Sequence, residues 1–219
     1  MHRHLNVLIA ASTTMMVLSI TPASSAQKPV ARFKAVPAQL SVPGTSNPFL
    51  AGQPDGSMCC GDSAPAESPV FAGYVIAGGK VTFNNTIGGV SYAGGTPTDG
   101  PGGNLGYTTS APANNGIGGY TNAPVDALVG VFLSAASPLA NPVTTLANLN
   151  DGTAPTTTPA LQQVFYIGNV GAGFSVTPPA GATRLYLGTV DGSGWSNNTG
   201  AISLTASGVF RCPSTARCL

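Results

Sequence analysis

The sequence is poor in charge and in histidine. Of its 219 residues, eight are Lys or Arg and seven are Asp or Glu, and the net charge is +1. A chain with so few basic residues offers no patch for nucleic acid. It also lacks the long Ala/Leu/Glu/Lys stretches that are typical of coiled coils. Hydrophobic residues make up 42% of the chain, however, which is enough to build a core.

The N-terminal segment, residues 1–26, predicts a secretory signal peptide. A basic start precedes an apolar run over residues 5–20 and a small-residue end at residues 24–26. The run is shorter than the ~20 residues that a spanning helix needs, which favours cleavage over a membrane anchor. No later apolar run is long enough to span a membrane, so we expect a secreted protein, located outside the cell, at its surface or in the periplasm.

Both histidines, His2 and His4, lie inside this leader. Its removal would exclude a Ser-His-Asp or Cys-His catalytic unit within the chain. A histidine-based zinc or iron site would be excluded as well. We therefore expect a protein that is not an enzyme.

The four cysteines are Cys59, Cys60, Cys212 and Cys218. An even number of cysteines in a secreted chain predicts two disulfides. Adjacent cysteines have Cα atoms only ~3.8 Å apart, below the usual ~4.4–6.8 Å of a disulfide. This disfavours a Cys59–Cys60 bond and predicts that the pair is tied to the C-terminal tail. A four-cysteine metal site is the alternative, but the C-x2-C spacing is missing.

Short apolar runs separated by Gly, Pro, Asn and Thr predict an all-β fold, a jelly-roll-like antiparallel β-sandwich of about eight strands. The run at 125–133 is almost continuously apolar, which indicates burial on both faces. The other predicted strands are 70–77, 80–83, 89–92, 161–168, 174–176, 184–190 and 201–205.

The remaining segments divide the chain as follows. Residues 27–69 form a basic leader and a turn-rich segment, 70–207 the sandwich, and 208–219 a Cys-containing tail. Two long loops are expected at 94–122 and 133–159, the second with a short helical turn near 144–148.

The loop at residues 191–200, Asp-Gly-Ser-Gly-Trp-Ser-Asn-Asn-Thr-Gly, is the most informative stretch. It joins two predicted strands and offers one carboxylate, two adjacent carboxamides and the only tryptophan. Oxygen atoms of Asp, Asn and the backbone are the ligands that calcium prefers. The simpler interpretation is a hydrophilic connection with an Asx-turn.

Residues 184–207, which contain this loop, resemble the C-terminal strand–loop–strand of the PA-I galactophilic lectin family, the LecA-type calcium-dependent bacterial lectins. The resemblance implies a small jelly-roll-like sandwich in which one Ca²⁺ is held by the loop and the sugar coordinates the same ion through two neighbouring hydroxyls. The implied protein ligands are the Asp191 carboxylate, the side-chain oxygens of Asn197 and Asn198, the Tyr92 carbonyl, and the carbonyl of Gly194 or Trp195.

The family's galactose-contacting His and Gln have no counterpart here, so the resemblance supports calcium better than it supports galactose. Trp195 could stack on a sugar ring or pack on the sheet end. Asp99 could reach a ligand over the same rim or cap a turn. Asp126 is expected at a solvated or hydrogen-bonded strand end, and Asp62 in a turn. Tyr107 belongs to the rim or to the core.

Three functions remain open. The first is a secreted calcium-dependent carbohydrate-binding protein, with a galactose-like sugar as ligand and weak single-site affinity unless the chain forms a homo-oligomer. The second is a structural or adhesive surface protein without sugar binding. The third is a glycosidase, which needs two facing carboxylates, and only Asp99 and Asp191 could supply them.

Overall fold

The computed structural model describes residues 37–54, 56–62, 68–149, 156–169 and 173–210. The predicted signal peptide, Cys212 and Cys218 lie outside these residues. Within the described residues the fold is all-β, as the sequence predicts. The strands are β1 (Ala38–Pro43), β2 (Val70–Tyr74), β3 (Val81–Ser91), β4 (Asn104–Ala111), β5 (Gly119–Val125), β6 (Leu128–Leu133), β7 (Leu146–Asn148), β8 (Val164–Tyr166), β9 (Phe174–Val176), β10 (Arg184–Thr189) and β11 (Thr199–Ser207).

The strands form three sheets. The first has the order β1-β11-β3-β9, the second β2-β10-β6-β8, and the third β4-β5-β7. All pairings between neighbours are antiparallel except that of β5 with β7. Short 3₁₀ turns lie at Pro48–Leu50, Tyr92–Gly94, Pro138–Ala140 and Trp195–Asn197. None of the helical turns in the described part of the chain has the length and hydropathy of a membrane span.

Two apolar clusters hold the sheets together, and β6 contributes to both. Leu128 and Phe132 point into the core between the first and second sheets. Val129, Val131 and Leu133 point into a second core on the opposite face. Side chains alternate along a strand, so an apolar strand without polar positions must be covered on both sides. The prediction of two-sided burial for this run is confirmed.

The sandwich begins earlier than the sequence predicted. β1 pairs with β11 along its whole length, and Leu40 lies opposite Leu204. Phe49 and Leu50, in the 3₁₀ turn that follows, are completely buried in the second core. Residues that were assigned to the segment before the sandwich are therefore part of it. The prediction missed them because Pro and Gly residues flank the short β1 strand and this buried turn.

Turn-forming residues inside β3 also misled the strand prediction. The two predicted strands at 80–83 and 89–92 are one strand, which carries an extra residue where it pairs with β11 between Ser203 and Thr205. Asn85 adopts a left-handed backbone there, with φ 54°. A β-bulge accommodates one such residue without ending the strand.

The two predicted long loops contain strands as well. β4 lies inside the first and pairs with β5. Residues 146–148 of the second form β7, not a helical turn, and pair parallel to β5. Exposed, polar edge strands of this kind carry a weak hydrophobic signal, since one face touches solvent.

Candidate functional site

The loop between β10 and β11 is folded around Asp191. One carboxylate oxygen accepts hydrogen bonds from the backbone N–H of Gly192 at 2.6 Å and of Ser193 at 3.4 Å. The Asp191 carbonyl also accepts a short hydrogen bond from the Tyr120 hydroxyl. Gly194 then adopts a left-handed backbone, with φ 82°, and starts the 3₁₀ turn Trp195–Asn197. The Asx-turn expected from the sequence is therefore present.

Trp195 is completely buried and belongs to the second core. Its Nε1 donates to the Thr189 carbonyl at 3.0 Å, and its ring meets that of Phe49 edge-on at 6.0 Å. The ring is therefore the anchor of the loop and cannot stack on a sugar. Only the Trp195 backbone carbonyl, which accepts from the Asn198 N–H, can take the ligand role assigned to this residue.

The turn at Tyr92–Gly94 lies against this loop, although the two are about a hundred residues apart in the chain. The Ala93 N–H donates to Asn197 Oδ1 at 3.1 Å. The Thr199 hydroxyl donates to the Gly95 carbonyl at 2.6 Å. The structure thus brings the Tyr92 turn next to Asn197, and these are two residues for which the lectin resemblance implies one site.

Asn198 and Asp191 are buried side by side beneath the exposed Asn197. Asn198 is 5% exposed, and its Nδ2 donates to the Gly44 carbonyl at 3.2 Å. Its Oδ1 is buried without a hydrogen bond. Burial raises the pKa of the Asp191 carboxyl group, while the neighbouring Asn198 side chain and the N–H groups of Gly192 and Ser193 partly offset this rise. The Asn198 side chain therefore adjoins the Asp191 carboxyl group in a poorly solvated space, and its own Oδ1 is left without a partner.

Asp126 lies at a hydrogen-bonded strand end, one of the two alternatives expected from the sequence. It is completely buried between β5 and β6, with a left-handed backbone of φ 69°. Its Oδ2 accepts from the Tyr92 N–H at 3.0 Å and so fixes the Tyr92–Gly94 turn, whereas Oδ1 has no hydrogen bond of normal geometry. The feature of the sequence that could have indicated the burial of Asp126 is its position as the one acidic residue in the apolar run at 125–133.

Asp99 faces Asp126 from the long loop before β4. The loop is held to β3 by two backbone hydrogen bonds between Asp99 and Val90, of 3.0 and 2.9 Å. Burial raises the pKa of Asp126 to about 7; the Tyr92 N–H opposes this rise, and the Asp99 carboxylate adds to it. The Asp99 side chain therefore acts on the site through Asp126, whose carboxyl group holds the Tyr92–Gly94 turn.

Asp62 enters the site from a disulfide turn. Cys59 and Cys60 are bonded to each other, so the predicted tie from this pair to the C-terminal tail is wrong. Cys60 and Gly61 both have left-handed backbones, with φ 64° and 82°, which turn the chain sharply and bring the adjacent side chains together. The Asp62 N–H donates to the Cys59 carbonyl at 3.1 Å and closes this turn.

The Asp62 carboxylate is 8% exposed and faces the loop. Burial raises its pKa, and the backbone N–H groups of Gly194 and Trp195 and the Asn47 side chain lower it in part. Neither carboxylate oxygen has a hydrogen bond of normal geometry. The Asp62 carboxylate therefore faces the N–H groups of Gly194 and Trp195, where the 3₁₀ turn of the loop begins.

Among the described residues, no three side chains of His, Cys, Asp or Glu converge to hold a metal ion. Any cation here would depend on a mixed set of carboxylate, carboxamide and carbonyl oxygens, which is the set that calcium accepts. Comparisons with protein-family models, curated proteins and solved structures found no match to this chain. The resemblance to the galactophilic lectins therefore remains a proposal.

Proposed function

We propose that this protein is a secreted, calcium-dependent carbohydrate-binding protein whose loop-bound ion coordinates sugar hydroxyls. The observation that carries the proposal is the buried, unpaired Oδ1 of Asn198, a residue whose side chain adjoins the buried carboxyl group of Asp191. A buried acceptor without a partner costs about 1–3 kcal/mol, and a buried carboxylate costs more. A cation between the two would satisfy both.

The proposed ligands are the side-chain oxygens of Asp191, Asn197 and Asn198, with the carbonyls of Tyr92 and of Gly194 or Trp195. The bond from Ala93 to Asn197 Oδ1 supports this set, because it holds the Tyr92 turn next to the loop. A carboxamide or carbonyl oxygen has two lone pairs, so one existing hydrogen bond leaves room for a metal.

The outer side of the site suits a sugar. Asn197 is exposed and the Tyr92 side chain is 37% exposed, so an ion bound between them would face solvent. Calcium takes about 6–8 oxygen ligands, and five protein oxygens would leave positions for two neighbouring hydroxyls. The Cys59–Cys60 disulfide supports an oxidising, extracytoplasmic location.

Calorimetric titration of calcium into the chelator-treated protein tests the metal site. We expect one saturable site, at least a hundredfold weaker in Asp191→Asn and clearly weaker in Asn198→Ala. The matched control is Asn169→Ala, an exposed asparagine of no assigned role, which should bind like the wild type. Absence of binding at millimolar calcium in the wild type would refute the proposal.

The Asx-turn of Asp191 favours a second candidate, a structural or adhesive protein without sugar binding. Its bonds to Gly192 and Ser193 shape the loop without any ligand. The discriminating test is binding to a panel of immobilised glycans with calcium and with chelator. Saturable calcium binding without calcium-dependent glycan binding would favour the structural function.

A further inference from the structure

Two tyrosine rings are paired on the surface beside the candidate calcium site. The side chains of Tyr92 and Tyr107 are 37% and 50% exposed, and their ring centroids are 5.4 Å apart at an angle of 39°. Each ring keeps one face near the other and leaves much of its area in water. Adjacent exposed aromatic rings beside polar groups are a common feature of ligand-binding surfaces.

The position of this pair follows from two contacts with the site. The Tyr92 turn is bonded to Asn197 through the Ala93 N–H. Tyr107 lies on β4, two residues before Thr109. Thr109 lies against the loop, since a Cβ added to Gly192 would be only 2.6 Å from the Thr109 Oγ1. The pairing of β4 with β5 is irregular between Asn104 and Thr108, so the position of Tyr107 is given by its ring contact with Tyr92 rather than by strand alternation. This contact places Tyr107 beside the turn that is bonded to Asn197.

The chemistry of the pair fits one class of ligand. A pyranose ring has hydroxyls around its edge and patches of C–H groups on its faces. The ring of a tyrosine is apolar on its face and carries a polar hydroxyl at its tip, so it can cover a C–H patch and still meet a hydroxyl. The described residues contain only two cations, Lys80 and Arg184, and the Arg184 guanidinium donates to the carbonyls of Ser134 and Ala136.

We propose that Tyr107, supported by Tyr92, is the platform on which the C–H face of a pyranose stacks while its neighbouring hydroxyls reach the loop-bound ion. This inference rests on the proposed function. It gives the ligand class as a pyranoside with an uncovered C–H face next to a vicinal diol. Tyr107 would then supply selectivity that the ion alone lacks, because the ion recognises only the diol.

The test compares Tyr107→Ala, Tyr107→Phe and the control Ile87→Ala, an exposed apolar residue of β3, in the calcium-loaded full chain. The probes are the methyl β-pyranosides of galactose, glucose, mannose and fucose, titrated by calorimetry. We expect Tyr107→Ala to weaken the best probe by about fivefold to tenfold, the range of an aromatic contact. Tyr107→Phe should stay within about twofold and Ile87→Ala should match the wild type, all with unchanged calcium affinity.

A second readout reports the contact itself. Saturation of the aromatic protons in a saturation-transfer NMR experiment should pass to the ring C–H protons of the probe, and much less so in Tyr107→Ala. Equal sugar affinity and equal transfer in Tyr107→Ala would overturn the platform and leave calcium-dependent sugar binding intact. No binding of any probe to the calcium-loaded wild type would overturn the proposed sugar binding together with the platform. A wild-type chain that does not bind calcium would instead refute the proposed metal site.

Discussion

The buried carboxyl group of Asp126 makes the metal-free protein lose stability as the pH rises. Burial raises its pKa from 3.8 to about 7, so at intermediate pH the folded state holds a proton that the unfolded chain has released. The stabilising contribution is fully present below the unfolded pKa and is lost as the pH rises through about 7. The pKa values of Asp62 and Asp191 are raised in the same direction and add to the slope.

The size of the effect follows from the shift. A rise of about three pH units at 1.36 kcal/mol each gives an upper limit of about 4 kcal/mol for Asp126. In a domain of this size each kilocalorie per mole corresponds to about 2–4 °C in Tm. The substitution to test is Asp126→Asn. An asparagine tolerates the left-handed backbone, still accepts from the Tyr92 N–H, and can donate to Asp99.

The assay is urea denaturation of the chelator-treated wild type and of Asp126→Asn at several pH values from 5 to 8. We expect the free energy of unfolding of the wild type to fall over this interval, and the Asn variant to fall by at least 1 kcal/mol less. Asp99→Asn is the intermediate control, because it removes only the neighbouring negative charge and should move the transition to lower pH. A wild-type stability that rises towards pH 8, or identical slopes in the wild type and Asp126→Asn, would refute this argument.

Three further predictions concern the stability of the fold and the disulfide pairing. Gly200→Ala, where a Cβ would lie 2.3 Å from a backbone oxygen, should destabilise the fold by at least 2 kcal/mol in urea denaturation. Gly181→Ala, with the same φ of 80° and no atom within 4 Å, should cost about 1 kcal/mol, and equal losses would contradict the steric argument. Gln162→Leu should cost about 2–4 kcal/mol, because Nε2 donates to three loop carbonyls at 2.6, 3.1 and 3.0 Å; a change below 0.5 kcal/mol would refute this. Peptide mapping under non-reducing conditions should find Cys59 and Cys60 joined within one peptide, and a link from either to another peptide would contradict the pairing.

The β class and several strand positions could be predicted from the sequence, because they depend on local pattern. β9 falls at the predicted residues, and β2, β10 and β11 lie within one to three residues of their predicted ends. Alternating apolar residues next to Gly and Pro report the strand period directly. The strands that were missed, β1, β4, β5 and β7, lie among turn residues or in predicted loops and owe their structure to hydrogen bonds with partners elsewhere in the chain.

The candidate site divides in the same way. The residues of one loop already show a carboxylate, two carboxamides and a tryptophan between two strands. That Trp195 is a buried anchor, and that Asp62 and Asp126 lie against the loop and the Tyr92 turn, follows from the folded chain. Local sequence fixes which groups a segment offers, but burial, pKa and pairing depend on neighbours that folding brings within reach.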